Sequence, residues 1–267
     1  MKNLCLLICI ATALASCQWG VSKKNPDDKP LKDTLNYTYK TIKERAADCG
    51  NKPDSGCTVV KIVYPVFDSA KTLNDTIISK LTMMFAMDGK ADSSLETMTK
   101  NFLKSYTDFK KTDPRTVMFF TLEDSVKVLR QDTSLITLQV KGYTYTGGAH
   151  GGSFTGFVNW DTKAGKNLTL EDIFIAGYQD KLTIIAEKIF RKDEKLSETA
   201  SLKDNYFFKD DKFALNTNFS VTPLGIKFLY NQYEIKPYAA GITELFIPYA
   251  QIKSLLRPGT VVSQFIK

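Results

Sequence analysis

Hydrophobic positions along this chain recur with two periods, and each change of period predicts a change of element. Leu35, Tyr37 and Tyr39 alternate with polar residues, the two-residue period of a strand. Thr58 to Phe67 is a second run rich in β-branched and aromatic residues (Val59, Val60, Ile62, Val63, Tyr64). Leu73, Ile77, Leu81 and Phe85 then recur every four residues and predict an amphipathic helix. Asn74 and Asp75 lie early in that segment, where acids suit the helix dipole. Leu95, Met98, Phe102, Tyr106 and Phe109 keep helical spacing until Pro114 stops it. A stripe of this kind packs a core rather than boxing a cofactor.

After Pro114 the period shortens again. Val117 to Leu129 and Leu135 to Tyr145 read as two long strands around the turn at residues 131–134. Phe154 to Trp160 and Lys166 to Leu170 predict a hairpin around Asp161 to Gly165. Leu182, Ile185, Ile189 and Phe190 mark a third helix. Phe213 to Val221 and Ile226 to Tyr230 predict another hairpin, and Thr243 to Ile247 a last strand before a short helix with Ile252, Leu255 and Leu256. Hairpins with helices grouped between them imply an α+β fold, mostly antiparallel sheet packed by about three to four helices.

The N-terminus obeys neither period. Lys2 precedes an apolar run from Leu4 to Leu14 and then Ala15-Ser16-Cys17, the layout of a secretory signal. The run is too short to cross a bilayer. Leu14-Ala15-Ser16-Cys17 resembles a bacterial lipoprotein lipobox, which implies cleavage before Cys17 and acylation of that cysteine. Several acyl chains on one residue suffice for stable anchoring where one does not. The expected organisation is a signal peptide at 1–16 and a lipid-anchored tether at 17–33, polar and punctuated by Pro26 and Pro30. An N-terminal α+β domain at 34–150 and a C-terminal one at 151–267 follow, with a single core shared by the two left open.

Export changes what the composition means. The chain has 267 residues, 43% of them hydrophobic, with 36 Lys+Arg against 29 Asp+Glu, a formal charge of +7. Alone, that balance suggests nucleic acid or an anionic surface. In an envelope protein nucleic acid is not an expected partner, and the densest basic runs are the dipeptides Lys23-Lys24 and Lys110-Lys111. The expected location is the cell envelope, on the periplasmic side of a membrane or at the surface, with the membrane a partner through Cys17. Once Cys5 and Cys9 leave with the signal and Cys17 carries lipid, Cys49 and Cys57 remain. An oxidising compartment predicts a disulfide between them. The residues enclosed, Gly50-Asn51-Lys52-Pro53-Asp54-Ser55-Gly56, suit a turn.

The segment most suggestive of chemistry is Tyr143-Thr144-Tyr145-Thr146-Gly147-Gly148-Ala149-His150-Gly151-Gly152, where four glycines flank the only histidine. Glycines admit φ > 0 and close approach of a ligand, and histidine serves as acid, base or ligand near neutral pH. Two readings stand open: a tight crossover between strands with His150 bonded locally, or a ligand-facing His150. Most catalytic templates fail. Gly151-Gly152-Ser153-Phe154-Thr155 lacks the last glycine of a nucleophile elbow, and no histidine follows Ser153. A cysteine nucleophile conflicts with the disulfide. One histidine with paired cysteines cannot ligate zinc, and Lys163 stands where a calcium loop needs oxygen. The adjacent acids Glu171 and Asp172 fit a helix cap first. No phosphate loop or dinucleotide fingerprint occurs, so neither cofactor nor metal is expected. A glycosidase pair of distant carboxylates stays open.

Several motifs resemble a known family. Tyr145-Thr146-Gly147-Gly148-Ala149-His150-Gly151, Asn159-Trp160-Asp161-Thr162-Lys163-Ala164-Gly165-Lys166 and Leu170-Glu171-Asp172-Ile173-Phe174 occur in order. Phe228 to Ile235, Pro237-Tyr238-Ala239-Ala240-Gly241 and Ile247-Pro248-Tyr249 follow. Over roughly residues 55–258 the chain resembles the paired extracellular domains of unknown function in lysozyme-sensing anti-sigma factors. The same kind of module accompanies a peptidoglycan deacetylase catalytic domain. The resemblance implies an α+β envelope module that binds a protein or cell-wall ligand and has no catalysis of its own. Two departures stand out: a lipid anchor in place of a membrane helix with a cytoplasmic domain, and no deacetylase domain.

Two function classes are therefore expected. The first is a lipid-anchored envelope binding module that recognises a cell-wall component or an envelope or lysozyme-like protein. Its binding residues are Gly147, Gly148, His150, Tyr238 and Gly241, with no catalytic residue. The second is an envelope hydrolase acting on cell-wall glycan around His150. Loss of Lys2 lowers the charge to +6, which opposes steering toward cationic lysozymes unless a local acidic face, such as that near Asp204, Asp210 and Asp211, receives them.

Overall fold

A computed structural model describes residues 35–86 and 89–266. The expected signal peptide and tether, with Cys17, lie outside the described residues. No helix among the described residues is long and apolar enough to cross a membrane.

The fold is α+β. Strands β1 (Tyr37–Arg45) and β2 (Val59–Phe67) pair antiparallel, and the Cys49–Cys57 disulfide closes their connection. Helices α1 (Lys71–Met83) and α2 (Leu95–Thr112) follow. Ser94 caps α2 by accepting from the Thr97 N–H at 3.1 Å. The chain then returns as β3 (Thr121–Gln131) beside β2, in parallel. A helical crossover brings a strand back to the same end, so this one parallel pair interrupts an otherwise antiparallel sheet. Strands β4 (Leu135–Tyr145), β5 (Gly152–Asp161) and the short β6 (Lys166–Asn167) complete six strands in sequence order.

A short capped helix, α3 (Leu170–Ile173), precedes α4 (Gln179–Asp193). The capping box joins Thr169 and Asp172, so Asp172 does the capping expected of Glu171 and Asp172, whereas Glu171 accepts from Tyr178 Oη at 3.1 Å. A three-stranded antiparallel sheet follows: β7 (Phe219–Val221), β8 (Gly225–Tyr230) and β9 (Thr243–Pro248). Helix α5 (Tyr249–Ile252) comes last.

Each sheet buries one face against helices. Ile62, Leu122, Ile136, Leu138 and Val158 of the large sheet pack on Leu73, Ile77, Leu81 and Leu95 of α1 and α2. Leu182, Ala186 and Phe190 of α4 pack with Phe228, Leu245 and Ile247 of the small sheet. The second face of the large sheet is divided. Near the β3–β4 turn it carries β7: Asn159 Nδ2 donates to Phe219 O at 2.8 Å and its Oδ1 accepts from the Val221 N–H at 2.8 Å. Toward the other end that face is open among the described residues.

Three expected strands are shorter than their runs: the one at 166–170 ends at Asn167, and Leu170 already belongs to α3. Val117 is 96% exposed, and Phe120 turns into the cluster around the disulfide, where its N–H donates to Thr58 Oγ1 at 2.8 Å. Residues 213–218 make no ladder; the side chains of Asn216 and Asn218 bond instead to Leu229 O at 2.8 and 3.0 Å. Local side-chain bonds of this kind compete with strand pairing.

Candidate functional site

The Gly147–Gly151 segment is the connection between β4 and β5, at the open end of the large sheet. Gly147 and Gly148 adopt φ of 111° and 91°, conformations that side-chain-bearing residues rarely take. Gly151 is required for a different reason: a Cβ there would lie 2.5 Å from the Tyr143 ring. Tyr145 Oη donates to Gly148 O at 3.1 Å and fastens the loop from the side.

This shape holds His150 outward. Its Nδ1 lies 3.1 Å from Gly151 O. A carbonyl only accepts, so Nδ1 carries the proton in the neutral ring and Nε2 is left as an acceptor. Tyr233 Oη sits 3.4 Å from Nε2, on the donating side of that pairing. The imidazole stacks on Tyr238 with ring centroids 3.8 Å apart and 13° between planes. Tyr233 leans on Tyr238 at 5.5 Å and 39°. The three rings form an exposed patch in which Tyr233 alone is 57% exposed. No carboxylate hydrogen-bonds to His150 among the described residues.

Tyr238 reaches this position through a loop held at both ends. Pro237 enters its turn in extended geometry and Gly241 leaves it at φ 70°. At the near end Asn231 Oδ1 accepts from the Thr155 N–H at 2.7 Å, while its Nδ2 donates to Thr155 O at 3.1 Å. Asn218 Nδ2 donates to the same carbonyl at 2.8 Å. The loop that carries Tyr233 and Tyr238 is thereby fixed to β5.

Beside the rings, the uncovered face of the large sheet forms a groove of about 430 Å³ across β2, β3, β4 and β5. Lys61, Glu123, Ser125, Lys141, Tyr143, Ser153 and Thr155 line it. Tyr143 belongs to both features, since its ring also lies against Gly151 next to His150. The arrangement supplies aromatic faces, hydroxyls and charges of both signs on a rigid sheet, the furnishings of a polar ligand site.

Asp124, within the same floor, directs its carboxyl to the helix side. It is 3% exposed, and neither oxygen has a hydrogen-bond partner. Gly142 stands opposite it on β4, where a Cβ would strike Met84, Asp124 Oδ1 and Phe85. Burial alone pushes the Asp124 carboxyl up to about 7.

The structure thus brings His150 and Tyr238 together, with Gly147 and Gly148 in the turn before His150 and Gly241 ending the turn that carries Tyr238. Asp210 and Asp211 are exposed in a turn that also holds Lys209 and Lys212. Spacing alone does not single out Tyr143, Tyr233, Asn231 or the groove charges, although Tyr143 stands in the glycine-rich segment and Asn231 and Tyr233 lie within the Phe228 to Ile235 motif. Among the described residues no group of three or more His, Cys, Asp or Glu side chains is placed to hold a metal ion.

Residues 51–153 match the family model described as deacetylase PdaC, and residues 171–250 match that of a protein of unknown function, DUF3298. The two matched segments fall within the stretch over which the motifs resemble paired domains, apart from a few residues at its start. His150 falls in the first matched segment, and Tyr233 and Tyr238 in the second. A DUF3298 family member from Bacteroides fragilis has a similar crystal structure, with a TM-score of 0.69 and 24% identity over 87% of this chain and 97% of that one. A DUF3298 family protein from Pseudomonas aeruginosa gives 0.67 and 23% over 84% and 95%. At such identities the likeness is one of fold. Among curated proteins none matches the chain.

Proposed function

We propose that this protein is a lipid-anchored binding module of the bacterial cell envelope that recognises cell-wall glycan and carries out no catalysis. The observation that carries the reading is the exposed stack of His150 on Tyr238, with Tyr233 beside it. Aromatic faces with polar edges suit the apolar faces and hydroxyls of sugar rings, and they hold their geometry at little entropic cost. A histidine oriented by a backbone carbonyl and two tyrosines, rather than by a carboxylate, also suits a contact role better than a general base. The lipobox-like Cys17 supplies the tether to the membrane, and a wall ligand lies within reach of such a tether.

The test is sedimentation with insoluble peptidoglycan, in parallel with capture by immobilised lysozyme. Peptidoglycan should carry the protein down, and Tyr238→Ala should reduce the bound fraction about tenfold or more without lowering the melting temperature. Retention by lysozyme with none by peptidoglycan would transfer the ligand to a protein. Release of reducing sugar from peptidoglycan by the wild type, lost in His150→Ala, would establish the hydrolase instead.

A further inference from the structure

We propose that the sheet-face groove beside the three rings receives the zwitterionic peptide part of the wall ligand, with an ammonium on Glu123 and a carboxylate on Lys141. This rests on the wall-binding reading above and extends it from sugar to peptide. Strand register places Lys61 opposite Glu123, Glu123 opposite Tyr143, and Ser125 opposite Lys141. Glu123 and Lys141 are thus diagonal neighbours on one face, about 7–8 Å apart at the backbone. Opposite charges at that spacing are able to pair, yet neither residue has an ion-pair or hydrogen-bond partner among the described residues.

Both charges are exposed within a concave surface of about 430 Å³, a volume that holds a short peptide but not a folded partner. The mixed signs argue against a purely anionic polymer, which Glu123 would repel, and against a purely cationic one, which Lys61 and Lys141 would repel. A segment bearing both an ammonium and a carboxylate satisfies the two sides together. Tyr143 provides the physical link, since it walls the groove and packs against Gly151 next to His150. A ligand with a sugar ring on the stack would therefore lead its peptide substituent directly into the groove.

Calorimetric titration of the full chain separates this from the parent reading. Three probes are compared: the disaccharide of N-acetylglucosamine and N-acetylmuramic acid, the same disaccharide bearing L-alanyl-γ-D-glutamyl-L-lysyl-D-alanine, and the free tetrapeptide. The peptide-bearing disaccharide should bind about tenfold tighter than the bare one. Glu123→Gln and Lys141→Met should each shrink that ratio roughly threefold, the scale of an exposed ion pair. Added salt should shrink it too. Equal affinity of the two disaccharides would overturn the groove assignment and leave glycan binding standing. Binding of the free tetrapeptide with none of the bare disaccharide would support the groove and remove the sugar platform. Binding of none of the three would overturn both.

Discussion

The side chain of Asn231 behaves as a one-residue strand toward Thr155, accepting from its N–H at 2.7 Å and donating to its C=O at 3.1 Å. Thr155 lies on β5, whereas Asn231 opens the loop that carries Tyr233 and Tyr238. The amide thus ties the two sequence-distant halves of the aromatic patch. Asn231→Ala leaves the Thr155 N–H without its acceptor, at about 1–3 kcal/mol. The expected outcome is a melting point several degrees lower and peptidoglycan retention reduced even where the variant is fully folded. Asn231→Asp keeps the acceptor but loses the donor, and should fall between.

Gly151→Ala tests the steric origin of the loop. Its Cβ would meet the Tyr143 ring at 2.5 Å, so ring or loop must shift. Overpacking of this kind costs about 1–3 kcal/mol. Both that destabilisation in denaturant melts and a loss of wall binding are expected, and Tyr143→Ala in the same chain should restore the stability but not the binding.

Asp124 predicts a pH dependence. Its carboxyl ordinarily titrates near 3.8 and is pushed up to about 7 in the fold by burial. The folded state therefore holds a proton that the unfolded chain releases, and stability falls as pH rises from about 4 to about 7. The effect is complete below 4, lost by 7 and flat above, with an upper bound of about 4 kcal/mol. Urea melts across that range should show the decline in the wild type and a much flatter profile in Asp124→Asn. Asp124→Leu, of similar shape and without polar atoms, should be more stable than the wild type at pH 7.

The Cys49–Cys57 bond closes a loop of about nine residues, for which chain entropy gives roughly 2.6 kcal/mol. The double variant Cys49→Ser with Cys57→Ser should lose about that much in chemical denaturation. Reduction of the wild type should match it, since both partners are buried beside Tyr106 and Phe120.

Cys17→Ser tests the anchor. The wild type should fractionate with membranes and incorporate labelled palmitate in bacterial cells. The variant should do neither, and it should still bind peptidoglycan once purified.

Much of the fold was legible in the sequence because its elements are amphipathic. Leu73, Ile77 and Leu81 announced α1, and the alternating run from Leu135 to Tyr145 announced β4, since each must bury one face. Where pattern and structure part, a local bond has overridden propensity. Phe120 leaves the expected strand to join the disulfide cluster, and Asn216 and Asn218 spend their amides on Leu229 O instead of extending β7. The parallel β2–β3 pair was not legible either, because sequence period reports which face is buried and not which neighbour runs beside it.

The same division holds at the site. Sequence by itself determined that glycines surround the one histidine, that Cys49 and Cys57 enclose a turn-rich stretch and that a nucleophile elbow and a calcium loop are missing. It also contained the motifs holding Tyr233 and Tyr238. Only the tertiary structure decided that His150 stacks on Tyr238, that Asn231 holds the second loop to Thr155, and that Glu123 and Lys141 face one groove. Those contacts span tens of residues and depend on strand register and on how one sheet lies across another. Periodicity, a local property, carries no information about either.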